Sequence, residues 1–212
     1  MLLTETQNTE IFLIRHGQPA LQNALLGATD SPLSKLGWSQ LESAVENLEN
    51  MDLVISSPLS RCATFSQQYA DDNNLELLIN NHWQECFFGD WDGKTYQSLY
   101  QEFPKAIDGF FSEPNKNTPP NGESLSNFNN RIENALMSLL KKYQGKRVAV
   151  FTHAGVIRTL VAWCLKMDYS TGLQFKNFAV DYASMTQLSI FHNQANTDEA
   201  IFPQLKCLNV VK

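Results

Sequence analysis

The run Ile11-Phe12-Leu13-Ile14, closed by Arg15-His16-Gly17, constrains the fold more than any other stretch of the 212-residue chain. Four consecutive apolar residues without polar alternation predict a strand covered on both faces, the pattern of a parallel sheet between helices. A cation and an imidazole then fall at the strand's C-terminal end, where open α/β sheets bind their ligands. Taken alone, the stretch reads equally as a core strand followed by a surface turn.

The pattern recurs along the chain. Asp52-Leu53-Val54-Ile55-Ser56, Leu75 to Ile79, Arg147 to Thr152 and Thr186 to Phe191 have strand character, and Ala200 to Val211 reads as an edge strand whose first half is weakened by Pro203. Between them, Ser34 caps a helix carrying Leu36, Leu41, Val45 and Leu48, and further helices are expected over Ser60 to Ala70, Glu123 to Tyr143 and Val156 to Leu165. The aromatic segment Asn80 to Gly93 has no period and reads as a loop. Short helices over Thr95 to Phe103 and Lys105 to Phe111 form an insertion (93–121) across one end of the sheet, too short to bury a core of its own. Residues 1–10 read as a tail. The expectation is one domain over 1–212: an α/β three-layer sandwich with a mainly parallel central sheet and helices on both faces.

Composition removes several classes of function. A formal net charge of -6, with no Lys/Arg-rich run, argues against a nucleic-acid or anionic-membrane surface. No apolar stretch is long enough to span a bilayer. The start Met1-Leu2-Leu3 leads straight into polar residues, unlike a secretory signal. Cys62, Cys86, Cys164 and Cys207 are dispersed, with no CxxC pair and no histidine at metal-ligand spacing, and read as reduced thiols of a cytoplasmic protein.

Three predicted strands end in groups that suit an anion: Arg15 with His16, Arg61 just beyond the second, and His153. Arg61 falls in the first turn of its helix, against the helix dipole, which a bound anion would justify. Two arginines and a protonated histidine would balance a phosphoryl dianion, and guanidiniums match its oxygens bidentately. An unprotonated His16 nitrogen can attack phosphorus, and the surrounding positive charge favours that neutral form. Glu85, near Trp83, Phe87 and Phe88, is the candidate proton donor to the departing alkoxide, since an apolar neighbourhood disfavours a carboxylate. The competing reading makes Glu85 a surface carboxylate beside core aromatics. His82 and His192 read as structural, and Trp83, Phe87, Phe88, Trp91 and Tyr96 as partly core.

Arg15-His16-Gly17, the segment Gly27 to Ser34, Ser56-Ser57-Pro58-Leu59-Ser60-Arg61, Glu85 ahead of Phe88-Gly89-Asp90-Trp91, Gly122-Glu123-Ser124 and Thr152-His153-Ala154-Gly155-Val156-Ile157-Arg158 together resemble the histidine phosphatase (phosphoglycerate mutase-like) superfamily, in the family's order. The resemblance implies His16 as the phosphorylated nucleophile, Arg15, Arg61 and His153 as the phosphate pocket and Glu85 as the acid/base. It also places Asn23, Gly27 and Ala154 against the substrate. It implies no cofactor and no metal, and a small-molecule phosphate ester as partner. Within the superfamily, Phe87 to Asp92, the short insertion and Pro119 to Ser124 are most similar to the α-ribazole phosphatases, which implies dephosphorylation of α-ribazole phosphate during assembly of the cobalamin nucleotide loop. A sugar-phosphate phosphatase or mutase, and a non-catalytic phospho-ligand binder, are the alternatives. Gln18 and Leu26 depart from the family pattern, where Glu and a hydroxyl residue are common. Oligomeric state is not encoded in any motif, and a homodimer is compatible with the sequence.

Overall fold

The structure, a computed structural model, describes residues 8–192 and 201–212. Six strands form one sheet: β1 (Thr9–Arg15), β2 (Leu53–Ser56), β3 (Leu77–Ile79), β4 (Arg147–Thr152), β5 (Met185–His192) and β6 (Ile201–Val210), in the order β3-β2-β4-β1-β5-β6. The four strands β3, β2, β4 and β1 are mutually parallel, while β5 and β6 are antiparallel additions. The mainly parallel α/β architecture expected from the sequence is present.

The unalternating apolar runs are explained by helices on both faces. Ile11 and Leu13 of β1, with Leu53, Ile55, Val148, Val150, Leu188 and Ile190, pack under α5 (Leu125–Lys142) and α6 (Ala154–Cys164). Phe12 and Ile14, with Val54, Ala149 and Phe151, pack under α1 (Lys35–Val45) and α2 (Ser60–Asp72). Each β1 side chain that is fully buried this way stabilises the fold by about 1.5–3 kcal/mol relative to exposure. Ser34 caps α1 through a bond from the Gly37 N–H, as its position before the apolar period indicates.

Several boundaries differ from expectation. The predicted tail is not all tail: Thr9 and Glu10 belong to β1, because the chain pairs with β4 and β5 from Thr9 onward, while residues 1–7 lie outside the described set. Strand β6 runs through Pro203, which is tolerated because β6 lies at the sheet edge, where a missing N–H costs no ladder bond. The expected start of that strand at Ala200 is outside the described residues. Three-residue 3-10 turns, Asn81–Trp83 and Gly89–Trp91, punctuate the aromatic loop.

The insertion contains α3 (Tyr96–Glu102) and α4 (Pro104–Ser112). It does gather a small cluster, Leu99 and Ile107, but only by borrowing Leu25 and Trp91 from the loops beneath it. A one-turn helix, α7 (Gln174–Asn177), lies beyond α6 and was not anticipated.

Candidate active site

Sheet register assembles the site. Arg15 at the end of β1 pairs with Thr152 at the end of β4, and the His16 N–H donates to the Thr152 carbonyl at 2.9 Å. The adjacent β2 ends level with them, with Ser56 opposite Phe151 and the Ser57 N–H bonded to the Phe151 carbonyl. The rings of His16 and His153 therefore lie 5.2 Å apart, centroid to centroid, although 136 residues separate them in the chain (153 less 16, less one). Gly17 allows α1 to close over this end: a Cβ there would stand 1.9 Å from the Gly37 carbonyl oxygen.

His16 is buried, and its Nδ1 lies 2.8 Å from the Gly17 carbonyl. A carbonyl only accepts, so Nδ1 carries the proton and Nε2 keeps its lone pair. Burial first, then Arg15 and Arg61, push the His16 pKa well below its ordinary 6.5. Both causes favour the neutral form expected from surrounding charge, desolvation the more strongly.

His153, also buried, meets the Ser57 hydroxyl through Nε2 at 2.8 Å. Burial and Arg61 press its pKa well below 6.5 as well. Both imidazoles are thus shifted toward the neutral form, and the fixed positive charge comes from the two guanidiniums; the protonated histidine of the sequence expectation belongs to the site with a phosphoryl dianion bound.

Arg61 corrects a second expectation. Its terminal nitrogens donate to the carbonyls of Thr29, Leu26 and Gly27, so it holds the loop over the site instead of offering its whole fork. Asp30 accepts from the Ser60 N–H, so one of the free N–H groups expected at the start of α2 is already met by a carboxylate. What Arg61 keeps is Nε and the second Nη1 hydrogen. Arg15 Nε, Arg61 Nε and His153 Nδ1 are all buried without a partner among the described residues. An unsatisfied buried donor costs about 1–3 kcal/mol, so the two guanidinium Nε–H groups, joined by His153 Nδ1 when it carries a proton, create a demand that an anion meets. Arg15 is otherwise fixed by the Val180 carbonyl and by Tyr182, whose ring centre lies 4.0 Å from the guanidinium carbon.

Glu85 does reach the site, but not through an apolar neighbourhood. Trp83 turns into the core and Phe87 is exposed, while the carboxylate accepts from the Cys86 N–H and from the Gly155 N–H at the start of α6, each at 3.0 Å. A Cβ on Gly155 would come within 2.2 Å of Glu85 Oε1, so glycine is needed for this approach.

A cavity of about 340 Å³ opens above these groups. Arg15, His16, Asn23, Glu85 and Ala154 line it, whereas Arg61, His153 and Gly27 do not. Gly27 contributes its carbonyl to Arg61. Leu26 puts an apolar side chain where a hydroxyl was the family expectation, and Gln18 turns away to accept from the Ser34 hydroxyl. The outer wall is aromatic: Phe88, Tyr96, Phe110, Phe111, Phe128 and Phe175. His192 bonds Thr9 and His82 is exposed, both away from the cavity, as expected of structural residues.

Sequence reasoning missed Tyr182 and Arg131, the latter of which grips the loop bearing Glu85. Their positions depend on long-range packing and carry no spacing signal. Ser57 and Arg158 were visible only as parts of motifs, yet Ser57 bonds His153 and Arg158 lines the cavity with its Nε bonded to the Phe178 carbonyl.

Known proteins with this sequence pattern carry the same fold. The chain is 26% identical over 202 residues to phosphoserine phosphatase 1 of Hydrogenobacter thermophilus, covering 93% of each. It is 28% identical over 170 residues to the adenosylcobalamin/alpha-ribazole phosphatase of Escherichia coli, covering 78% of this chain and 84% of that one. It spans 52% of the length of several longer mycobacterial relatives. Among solved structures, mycobacterial glucosyl-3-phosphoglycerate phosphatase superposes with a TM-score of 0.83 at 25% identity, over 96% of this chain and all of that one. The family model of the histidine phosphatase superfamily (branch 1) matches residues 11–200, and the chain belongs to that superfamily.

Proposed function

We propose that this protein is a metal-independent phosphomonoesterase that works through a phosphohistidine at His16. The observation that carries the reading is the ring of unpartnered donors, Arg15 Nε, Arg61 Nε and His153 Nδ1, around an imidazole whose free nitrogen is Nε2. A phosphoryl group seated there satisfies all three. His16 Nε2 attacks phosphorus, the ester oxygen leaves, and Glu85 supplies its proton; water then attacks the phosphohistidine with Glu85 taking the proton back. The arriving dianion opposes the push of the guanidiniums on His153, favouring a proton on Nδ1 directed at the phosphoryl oxygens. Asn23 and Ala154 complete the surroundings of the ester, while Gly27 acts only through the carbonyl that holds Arg61.

The first-choice substrate is α-ribazole phosphate. Six aromatic rings on the cavity wall suit a leaving group carrying a flat apolar base, and a relative with that activity covers most of the chain. Phosphoserine is the second reading, favoured by Arg158 and Lys176 on the same wall, which would face a carboxylate. Initial rates on α-ribazole phosphate, phosphoserine, glucosyl-3-phosphoglycerate and 3-phosphoglycerate in the presence of chelator decide between them. The proposal expects hydrolysis in chelator, with kcat/KM highest for α-ribazole phosphate. Preference for phosphoserine moves the assignment to the second reading, and no hydrolysis of any ester would falsify the enzymatic one.

A further inference from the structure

Glu85 sits on a loop, and loops do not hold a proton donor to within a fraction of an ångström unaided. The side chain that fastens this loop is Arg131 of α5. Its Nε and Nη2 form a two-point bridge with the Glu123 carboxylate, at 2.9 and 2.8 Å. Nη1 donates to the carbonyls of His82 and Gln84, and the second Nη2 hydrogen to the Glu85 carbonyl at 3.3 Å. All five guanidinium donors are therefore engaged, three of them by the backbone at and just before Glu85. Glu123 holds the other side: its backbone N–H donates to the Phe87 carbonyl at 2.8 Å, and its carboxylate accepts from the Phe87 N–H at 3.4 Å. The guanidinium lies 5.1 Å from the Phe128 ring centre, and that ring also lines the cavity.

We propose that the Arg131–Glu123 pair is the positioning device for Glu85, setting the reach of its carboxylate toward the leaving oxygen. The inference rests on the reading of Glu85 as acid/base. Both members of the pair are largely shielded, with side chains 19% and 15% exposed, so this bridge is not a surface ion pair of negligible consequence. Lysine in place of Arg131 keeps the charge but offers three donors and no planar fork, so it cannot make the same set of bonds.

The test separates positioning from general stability through leaving-group dependence. Proton donation matters for an alkyl ester and hardly at all for p-nitrophenyl phosphate, whose leaving group departs as a stable anion. Single-turnover phosphoryl transfer to the enzyme is measured with both esters for the native protein, Glu85→Gln, Arg131→Lys and Glu123→Gln, the alkyl ester being whichever member of the substrate panel the native enzyme cleaves fastest. For Arg131→Lys and Glu123→Gln we expect a loss of about 10- to 100-fold on the alkyl ester, as for a catalytic group displaced by about an ångström, and less than about threefold on p-nitrophenyl phosphate. KM changes little, and the double variant loses less than the product of the singles. Equal losses on both esters, or native rates on both, overturn the positioning role. If Glu85→Gln itself shows no leaving-group dependence, the acid/base reading fails instead. Arg131→Gln is the harsher change; should it fail to fold by circular dichroism, the lysine variant decides alone.

Discussion

The two ends of the cavity are built differently. At the end proposed to hold phosphate, His16, Arg15 and His153 hang from neighbouring parallel strands of the sheet, their positions set by backbone register within the main core. At the leaving-group end, Tyr96, Phe110 and Phe111 sit on α3 and α4, whose buried cluster has four members, two of them borrowed. A rigid sheet end can serve any phosphate ester, while a lightly anchored wall can be changed without disturbing the chemistry. The difference teaches where reaction and specificity reside.

The strongest way to break that division is to disturb the rigid end. Gly155→Ala drives a methyl group into Glu85 Oε1, and we expect kcat to fall about 100-fold for every alkyl ester of the substrate panel alike, in steady-state assays. A substrate-selective loss would mean that this end also reads the leaving group. The converse test is Phe110→Ala on the wall. If an aromatic base stacks there, kcat/KM for α-ribazole phosphate drops about tenfold to a hundredfold while phosphoserine changes less than about twofold. Equal losses for both would show that the wall supports the site as a whole.

A smaller effect follows from the lowered histidine pKa values. His16 and His153, and more weakly His192, have folded-state pKa values below the ordinary 6.5. In the window below about pH 6.5 the unfolded chain binds more protons than the folded one, so the stability these groups contribute is complete above that pH and declines as pH falls. Each such proton adds a slope of about 1.4 kcal/mol per pH unit. Melting temperatures between pH 8 and pH 5 should fall on the acid side, and His153→Asn should flatten the decline. An unchanged slope would place the burden on other groups. The smallest expected effect concerns thiols: burial raises the Cys62 pKa to about 12, and that of Cys86 upward too, so alkylating reagents at neutral pH should leave activity intact despite Cys86 lining the cavity.

The same contrast governs what was legible in the sequence. The buried strands and the groups at their ends declared themselves, because unalternating apolar runs ending in Arg15-His16, Ser56-Ser57 and Thr152-His153 have one architectural meaning. Glu85 was found as a residue but not as an environment: its partners, the Cys86 and Gly155 N–H groups, are backbone and leave no mark in side-chain composition. The carbonyls that occupy Arg61 are equally silent in the sequence, which is why a whole fork was expected and only part of one was found. Arg131 and Tyr182 act across 46 and 167 residues (131 less 85; 182 less 15), distances that only tertiary packing closes.

The central claim is a covalent phosphohistidine at His16, and trapping it is the most direct test. Protein mixed with a 32P-labelled phosphomonoester in chelator and quenched within milliseconds should carry acid-labile, base-stable label, which peptide mapping places on His16. The His16→Ala variant should carry none, with turnover lowered by about 10⁴-fold or more. Label retained in His16→Ala, or native turnover without any trapped phosphohistidine, would contradict the account.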